Sequence, residues 1–532
     1  MDTLKNLQKG KYDLDTVYEP PDYKQHLWSL LLAFIIMTVC SRSSFLYAFN
    51  LWDDANSYFT VGKCIFRGFV PYRDLFDQKG IMLYFIYGLA SLISPRTFIG
   101  VYLFEIIAAY LSLLAIFRIS GLFLESSWAP YVTTALSGIV IYTSFDFYWG
   151  GSAEEFLFPW IMWGMFLSVR YFRTEYPAPM DYRKVLMGGV LAGFVLNIKF
   201  NSLGFFFAWM AAVFFADIIG GRAVGKAFGS CLVFLSGMFG ATVPWIIYFG
   251  ANGAIKDWLY VYIYKNVFEY SKKLTLAERA AKFYDIIKDH FFYNPIVYVI
   301  IFIGVLYFTA SAVWNIIKDS KDSEKELPII DLRLSELLNL GSLLFFLVLV
   351  IFIGGVSLPY YPFPMNGFVV FGFIPFCYII EKFSNNALSY AMIAASLVLT
   401  VAGCFLLSMN VKSMGLKEKD LFLFKFRDYI EASGVEDPGI ILEYTFDIGL
   451  YTVLDVEPIC YYFQTQTLNM QEVFDYQKQY VHSGEADFVV SVGGPAEGLG
   501  DRYDFVMKDR CVFYKFDQTY YLYQRNDNPV TE

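Results

Sequence analysis

Residues 51–93 read LWDDANSYFTVGKCIFRGFVPYRDLFDQKGIMLYFIYGLASLI, and the fold turns on whether their last third crosses a membrane. Ile81–Ile93 is apolar throughout but only 13 residues long, short of the roughly 20 that a spanning helix needs. That length suits a helix lying at the interface. Ahead of it stand Asp53, Asp54, Arg73, Asp74, Asp77 and Lys79, too many charges for a span. Ionisable groups held against a bilayer are costly to desolvate and mark a functional site by default. Both signs occur together, which suits an acid–base step beside an anionic group.

Outward from this stretch, the composition is that of a membrane protein. Of 532 residues, 57% are hydrophobic, 20% aromatic and only 17% charged, and the apolar residues gather in blocks as long as a bilayer is thick. Hydropathy places about 11 spans, at residues 27–49, 98–119, 128–145, 153–172, 185–201, 203–219, 228–249, 295–317, 335–356, 365–380 and 387–409. The formal net charge of −9, with basic residues scattered over short loops, excludes nucleic acid as a partner. Membrane lipids are partners by composition. Lys5, Lys9, Lys11, Asp13 and Asp15 precede the first span and no small-residue cleavage site follows it, so it is expected to stay as an anchor.

If Ile81–Ile93 lies flat, the basic residues Arg118, Arg170, Arg173, Arg183, Lys184, Arg222, Lys226, Lys318, Lys321, Lys325 and Lys382 share the side of the basic N-terminus. That is the positive-inside pattern. If it spanned, every later loop would change sides. The flat reading puts residues 51–97, 146–152, 250–294, 357–364 and the C-terminus outside the cytoplasm. It gives a cytoplasmic N-terminal segment (1–26), a polytopic α-helical membrane domain (27–409) and an extracytoplasmic α/β domain (410–532).

In that last part, residues 419–432 have helical periodicity, residues 439–443 and 488–492 read as buried strands, and 511–516 with 519–523 as a terminal hairpin. The glycine-rich run 493–500 follows a strand but contains Pro495 and no lysine followed by Ser or Thr, so it reads as a surface loop rather than a phosphate loop. No internal repeat is visible. Cys40, Cys231, Cys377 and Cys404 sit in apolar spans as small hydrophobes. A Cys460–Cys511 bridge is one option in an oxidising compartment, although sequence does not bring the two together. There is no CxxC or Cys/His metal spacing, and His26, His290 and His482 are too scattered for a triad or a zinc site. No cofactor and no metal are expected.

Chemistry then falls to carboxylates, lysines and arginines. Asp53 and Asp54 open a helical pattern, where a carboxylate is also a good N-terminal residue. Arg73, Asp77 and Lys79 cluster just before the interfacial helix, at the depth of lipid phosphates. Counting through the topology brings Asp146, Glu154, Glu155 and Lys199 to the same side. Lys199 at a span end also reads as a snorkelling anchor. Tyr360 and Tyr361 share that side, although aromatic residues favour interfaces generally.

At these residues the chain resembles the GT-C superfamily of integral-membrane glycosyltransferases, in the branch of protein O-mannosyltransferases and lipid A aminoarabinose transferases. Those carry in the first outer loop an Asp followed four residues on by Tyr, matched here by Asp54 and Tyr58. A lysine before a helix-starting Gly or Pro and a Leu-x-Tyr-like pattern is matched by Lys79, Gly80, Leu83 and Tyr84. The second outer loop with its Glu, a span ending near a Lys and an aromatic late outer loop recur in order over residues 27–409. Two positions depart from the pattern: Ala55 stands where a Glu is usual, and Tyr360-Tyr361 where a His-Tyr pair is usual.

The resemblance implies transfer of a sugar from a polyprenyl-phosphate donor to an envelope glycan or glycolipid acceptor on the outer face, with inversion. It implies Asp54, or second Asp53, as the base. It also implies Lys79, Arg73 and Lys199 on the donor phosphate. Glu154, Glu155, Asp146, Tyr58, Asp77, Tyr360 and Tyr361 would then serve sugar or acceptor. The alternatives are transfer of a larger lipid-linked saccharide, whose metal-dependent versions use several carboxylates as ligands, and a lipid or solute transporter, which should show inverted repeats.

Overall fold

The computed structural model describes residues 22–270, 274–321, 329–382, 386–465, 470–496, 498–513 and 516–526. Residues 1–21 of the expected N-terminal segment, Lys325 and Glu497 lie outside the described residues.

Helices occupy all eleven expected positions. Among the described residues eight are long and apolar enough to cross a membrane: Tyr23–Cys40, Ile99–Ser120, Phe200–Ile219, Val224–Ala251, Pro295–Lys318, Leu334–Phe352, Phe363–Glu381 and Ser389–Leu407. Three fall short of the expectation. Ala129–Thr143 and Tyr182–Ile198 have 15 and 17 residues, and Ala153–Arg170 carries Glu154, Glu155 and Arg170. Ala153–Arg170 is nearly all buried, so its polar groups meet protein rather than lipid. By contrast, Val224–Ala251 exposes Phe228, Leu232, Leu235, Phe239 and Ile247 at helical spacing, an apolar face suited to acyl chains.

Ile81–Ile93, at 13 residues, is shorter than those eight helices. Gly80 N, just before it, donates to Ile198 O at 3.0 Å. Arg96, just after it, pairs with Glu431 of the C-terminal domain at 2.9 Å. Both ends therefore stay at one pole of the molecule, and its 13 residues make only about 20 Å of helix. Its buried face packs on the Asp53–Ile65 helix where two glycines meet. A Cβ on Gly62 would stand 2.4 Å from Tyr84 O, and one on Gly88 2.5 Å from Gly62 O, so any larger residue would force the helices apart.

Basic ends gather at the other pole. Arg173 pairs with Glu336 at 3.0 Å and donates to Leu122 O, Arg333 reaches the carbonyls of Phe172 and Tyr176, and Lys382 faces Glu125 at 3.8 Å.

The C-terminal domain is a four-stranded sheet with helices. Strands β1 (Ile440–Glu443) and β2 (Phe488–Val492) run parallel, joined by a connection that includes the Gln471–Ser483 helix, while β3 (Tyr503–Phe513) and β4 (Phe516–Arg525) form a hairpin; the order is β1-β2-β4-β3. The hairpin is longer than its apolar cores suggest, because exposed polar residues extend both strands. Cys460 and Cys511 are both free thiols, so the optional bridge is not formed.

This domain grips one face of the Asp53–Ile65 helix. Gln464 Nε2 donates to Ser57 Oγ at 2.5 Å and Thr60 Oγ1 to Asp447 Oδ2 at 2.7 Å. Lys63 Nζ donates to Tyr451 O at 2.7 Å, and Arg67 pairs with Asp455 at 2.5 Å and Glu457 at 2.7 Å. Positions 57, 60 and 63 lie one above the other on the helix and Arg67 follows its end, so the clamp runs from the second turn past the C-terminus.

Candidate functional site

Asp53 and Asp54 begin the clamped helix, where the exposed N–H groups and the helix dipole favour carboxylates. Asp54 Oδ2 accepts from Tyr360 Oη at 2.5 Å and lies 3.8 Å from Lys79 Nζ. The Asp54 side chain is 25% exposed and that of Lys79 10%, so the carboxylate is the more accessible member of the pair. Burial alone would lower Lys79, but Asp54 and Asp77 outweigh it and hold the ammonium above its ordinary value.

Lys79 is fixed from behind. Its backbone N–H donates to Tyr84 Oη at 2.8 Å and its carbonyl accepts from Tyr72 Oη at 2.6 Å. Asp77 accepts from Ser57 Oγ and from Gln78 N. Burial keeps Asp77 above the usual carboxylate range despite the opposing pull of Lys79 and Ser57. Gly80 brings this segment onto the end of the Tyr182–Ile198 helix: a Cβ there would stand 2.1 Å from Asn197 O. Lys199, the residue capping that helix, thereby comes beside Lys79.

Lys199 forms an ion pair with Glu154 and lies over the Tyr361 ring, 3.7 Å from its centroid. Glu154 is placed by the turn before it, where Gly150 and Gly151 take φ of +85° and +86° and Ser152 caps the next helix by accepting from Glu155 N. Tyr360 and Tyr361 enter from the loop that follows the Leu334–Phe352 helix. Tyr360 packs against Trp52 at 4.8 Å between ring centroids, and Tyr361 Oη meets Tyr270 Oη at 2.7 Å. Tyr58, 1% exposed, lies beneath Lys79, 5.5 Å from ring centroid to ammonium. Tyr58 Oη and Glu154 Oε2 are buried without a hydrogen-bond partner in the protein. Two such groups beside two lysines suit a polyhydroxylated, phosphorylated ligand.

The structure thus brings together Asp54, Lys79, Asp77, Tyr58, Glu154, Lys199, Tyr360 and Tyr361. It places four other candidates elsewhere. Arg73 points outward and pairs with the adjacent Asp74 at 2.8 Å, with Asn252 O as a further acceptor. Glu155 turns into the bundle, accepts from Gly151 N at 2.8 Å and lies near the buried Glu105. Asp146 is buried and accepts from Asn294 Nδ2 at 2.5 Å. Asp53 Oδ1 accepts from Asp54 N at 2.9 Å; partial burial and then the Asp54 charge push its carboxyl up to about 7. Among the described residues no group of three His, Cys, Asp or Glu is spaced to hold a metal ion.

Ser57, Trp52, Tyr270 and Gln464 belong to the site but were not among the sequence candidates. Ser57 and Trp52 lie within residues 51–93 but carry no charge to mark them. Tyr270 and Gln464 carry no local signal.

Among solved structures, the chain is similar to the crystal structure of the Archaeoglobus fulgidus oligosaccharyltransferase in complex with Zn and sulfate, at 11% identity and a TM-score of 0.45 over 87% of this chain and 68% of that one. No protein-family model and no curated protein sequence matches the chain.

Proposed function

We propose that this protein is an integral-membrane glycosyltransferase of the GT-C kind. It moves a sugar from a polyprenyl-phosphate donor to a hydroxyl of an envelope glycan or glycolipid on the outer face of the membrane. The observation that carries this reading is the convergence of Lys79 and Lys199, from separate elements, beside the half-open Asp54 carboxylate.

The acceptor hydroxyl approaches Asp54, whose Oδ2 is engaged by Tyr360 and Lys79, leaving Oδ1 to take the proton. The hydroxyl oxygen forms its bond to the anomeric carbon as the bond to the phosphate oxygen breaks on the opposite face. Configuration therefore inverts. The departing polyprenyl phosphate gathers negative charge, and Lys79 and Lys199 supply charge-assisted hydrogen bonds in a poorly hydrated site. A phosphate leaves already stabilised, so no separate general acid is required. Glu154 Oε2 and Tyr58 Oη receive sugar hydroxyls. In this reading the N-terminus is cytoplasmic, and the site and the C-terminal domain face outward.

The test is transfer itself. Purified protein in lipid nanodiscs is given undecaprenyl-phosphate-linked hexoses with and without isolated envelope glycan. Acceptor-dependent release of undecaprenyl phosphate is expected. A transporter would leave the linked sugar intact; use of diphosphate-linked oligosaccharides only, lost on chelation, would favour the larger-saccharide alternative.

A further inference from the structure

We propose that the cleft between the first outer loop and the C-terminal domain is a binding subsite for a neutral, extended oligosaccharide, separate from the Asp54 site. Only the naming of that ligand as the acceptor chain rests on the transferase reading.

The cleft has a volume of about 440 Å³, and its walls include Arg67, Asp74, Ile459, Tyr461, Tyr476 and Tyr480. Tyr476 and Tyr480 stand one turn apart on the Gln471–Ser483 helix, with ring centroids 5.1 Å apart and planes tilted by 37°. Tyr461 also lines the cleft, and Tyr462 packs behind it, 4.7 Å from Tyr461 and 5.3 Å from Tyr476 between ring centroids. All four rings are half-buried. Tyrosines in a cleft wall offer apolar ring faces to the C–H side of a sugar ring, while the hydroxyls of Tyr461 and Tyr476 are engaged by Tyr72 O at 3.1 Å and Tyr480 Oη at 3.5 Å.

The charge of the walls selects the ligand. Arg67 is already held by Asp455 and Glu457, at 2.5 and 2.7 Å. Asp74 takes two hydrogen bonds from Arg73, each 2.8 Å, and one from Val70 N at 2.7 Å. The charged groups of the cleft are therefore paired with one another. A phosphate, nucleotide or acidic peptide would have to break those pairs, at the cost of leaving charges poorly solvated. A neutral ligand stacked on the tyrosine rings leaves those pairs intact.

Position selects the length. Asp54 starts the Asp53–Ile65 helix and Arg67 follows its end, so the two sites are about 20 Å apart along that helix. One monosaccharide does not bridge them. Residues 55–64 between them are buried, so a ligand held in the cleft would reach Asp54 only as a chain several sugars long that passes around that helix.

The experiment is saturation-transfer NMR on the full chain in lipid nanodiscs free of glycoside detergent, with maltohexaose, cellohexaose, chitohexaose and the anionic hexagalacturonate as probes. At least one neutral hexaose should receive saturation from the wild-type protein and equally from Asp54→Asn. Tyr476→Ala and Tyr480→Ala should each weaken its binding by about tenfold. Ile459→Trp, which fills the cleft while leaving the ion pairs alone, should abolish it. The proposal is overturned if no neutral hexaose binds, if binding survives the Tyr476→Ala/Tyr480→Ala pair and Ile459→Trp, or if hexagalacturonate binds as well. Failure of the transfer assay alone would remove the transferase reading and leave this binding result standing.

Discussion

Tyr360 Oη donates to Asp54 Oδ2 at 2.5 Å, joining residues 306 positions apart in sequence. That bond fixes which oxygen of Asp54 is engaged and ties the loop after the Leu334–Phe352 helix to the start of the Asp53–Ile65 helix. If Asp54 is the base, Asp54→Asn keeps its size and should cut turnover by roughly 10²–10⁴-fold while donor still binds. Tyr360→Phe removes one hydrogen bond to a charged group and should cost about ten- to a hundredfold. Asp53→Asn should matter less, since Asp53 lies about 100° further round the helix. Single-turnover rates on nanodisc-reconstituted variants, after confirming abundance and donor binding, decide it. A donor-binding Asp54→Asn protein with near-normal turnover would refute the assignment.

Lys79→Ala and Lys199→Ala test the phosphate site. Each should weaken undecaprenyl-phosphate binding, because a poorly hydrated phosphate loses a charged hydrogen bond worth about 1.5–3 kcal/mol. Lys199→Ala carries a second cost, since it leaves the buried Glu154 without its cation. Arg73→Ala should bind normally, because its guanidinium is outward and spent on Asp74. Scintillation or native mass-spectrometric titration with undecaprenyl phosphate gives the answer. Unchanged affinity in both lysine variants would remove the site.

The fold was legible where local rules act alone. The short apolar run at Ile81–Ile93 forms a 13-residue helix, as its bounds in the sequence foretell. The count of spans was less legible, because Glu154 and Glu155 stand in a helix that protein, not lipid, surrounds. For the site, Asp54, Lys79 and Lys199 could be found because charge beside a membrane needs a reason. Arg73 and Glu155 share that property but turn away, and sequence does not tell which side of a turn a residue faces. Gln464 and Tyr270 were invisible: a glutamine or a tyrosine becomes part of a site only through contacts made hundreds of residues away.

Stability should depend on Asp146. Burial pushes its carboxyl up to about 8, offset in part by Asn366 and Asn294. Its folded-state value lies above the ordinary one near 4, so the folded protein binds the proton more tightly than the unfolded chain does. Stability therefore falls as pH rises from about 4 towards 8 and levels off above it. Asp146→Asn keeps an acceptor for Asn294 and cannot ionise. The variant should melt higher than wild type at pH 9, with the gap closing towards pH 5. Equal melting temperatures across that range would show that Asp146 is not held neutral.

Gln464 is the point where the C-terminal domain enters the site. Its Oε1 accepts from Asp447 N at 2.8 Å and its Nε2 donates to Ser57 Oγ at 2.5 Å, so that Ser57 turns its own proton to Asp77, the carboxylate beside Lys79. Gln464→Ala deletes the relay and also leaves buried polar groups unpaired, so it should lower both turnover and melting temperature. Gln464→Glu separates the two effects. It keeps the size and the acceptor for Asp447 N, but an ionised carboxylate would accept the Ser57 proton and leave Asp77 short of a donor. Turnover should fall about tenfold at pH 8, the loss expected of one hydrogen bond to a charged group. At lower pH the introduced carboxyl takes a proton and becomes a donor again, so the deficit relative to wild type should shrink towards pH 5.5. A space-filling role for Gln464 would give Gln464→Glu a wild-type rate at both pH values, and a deficit independent of pH would mean that the direction of the Ser57 hydrogen bond does not matter.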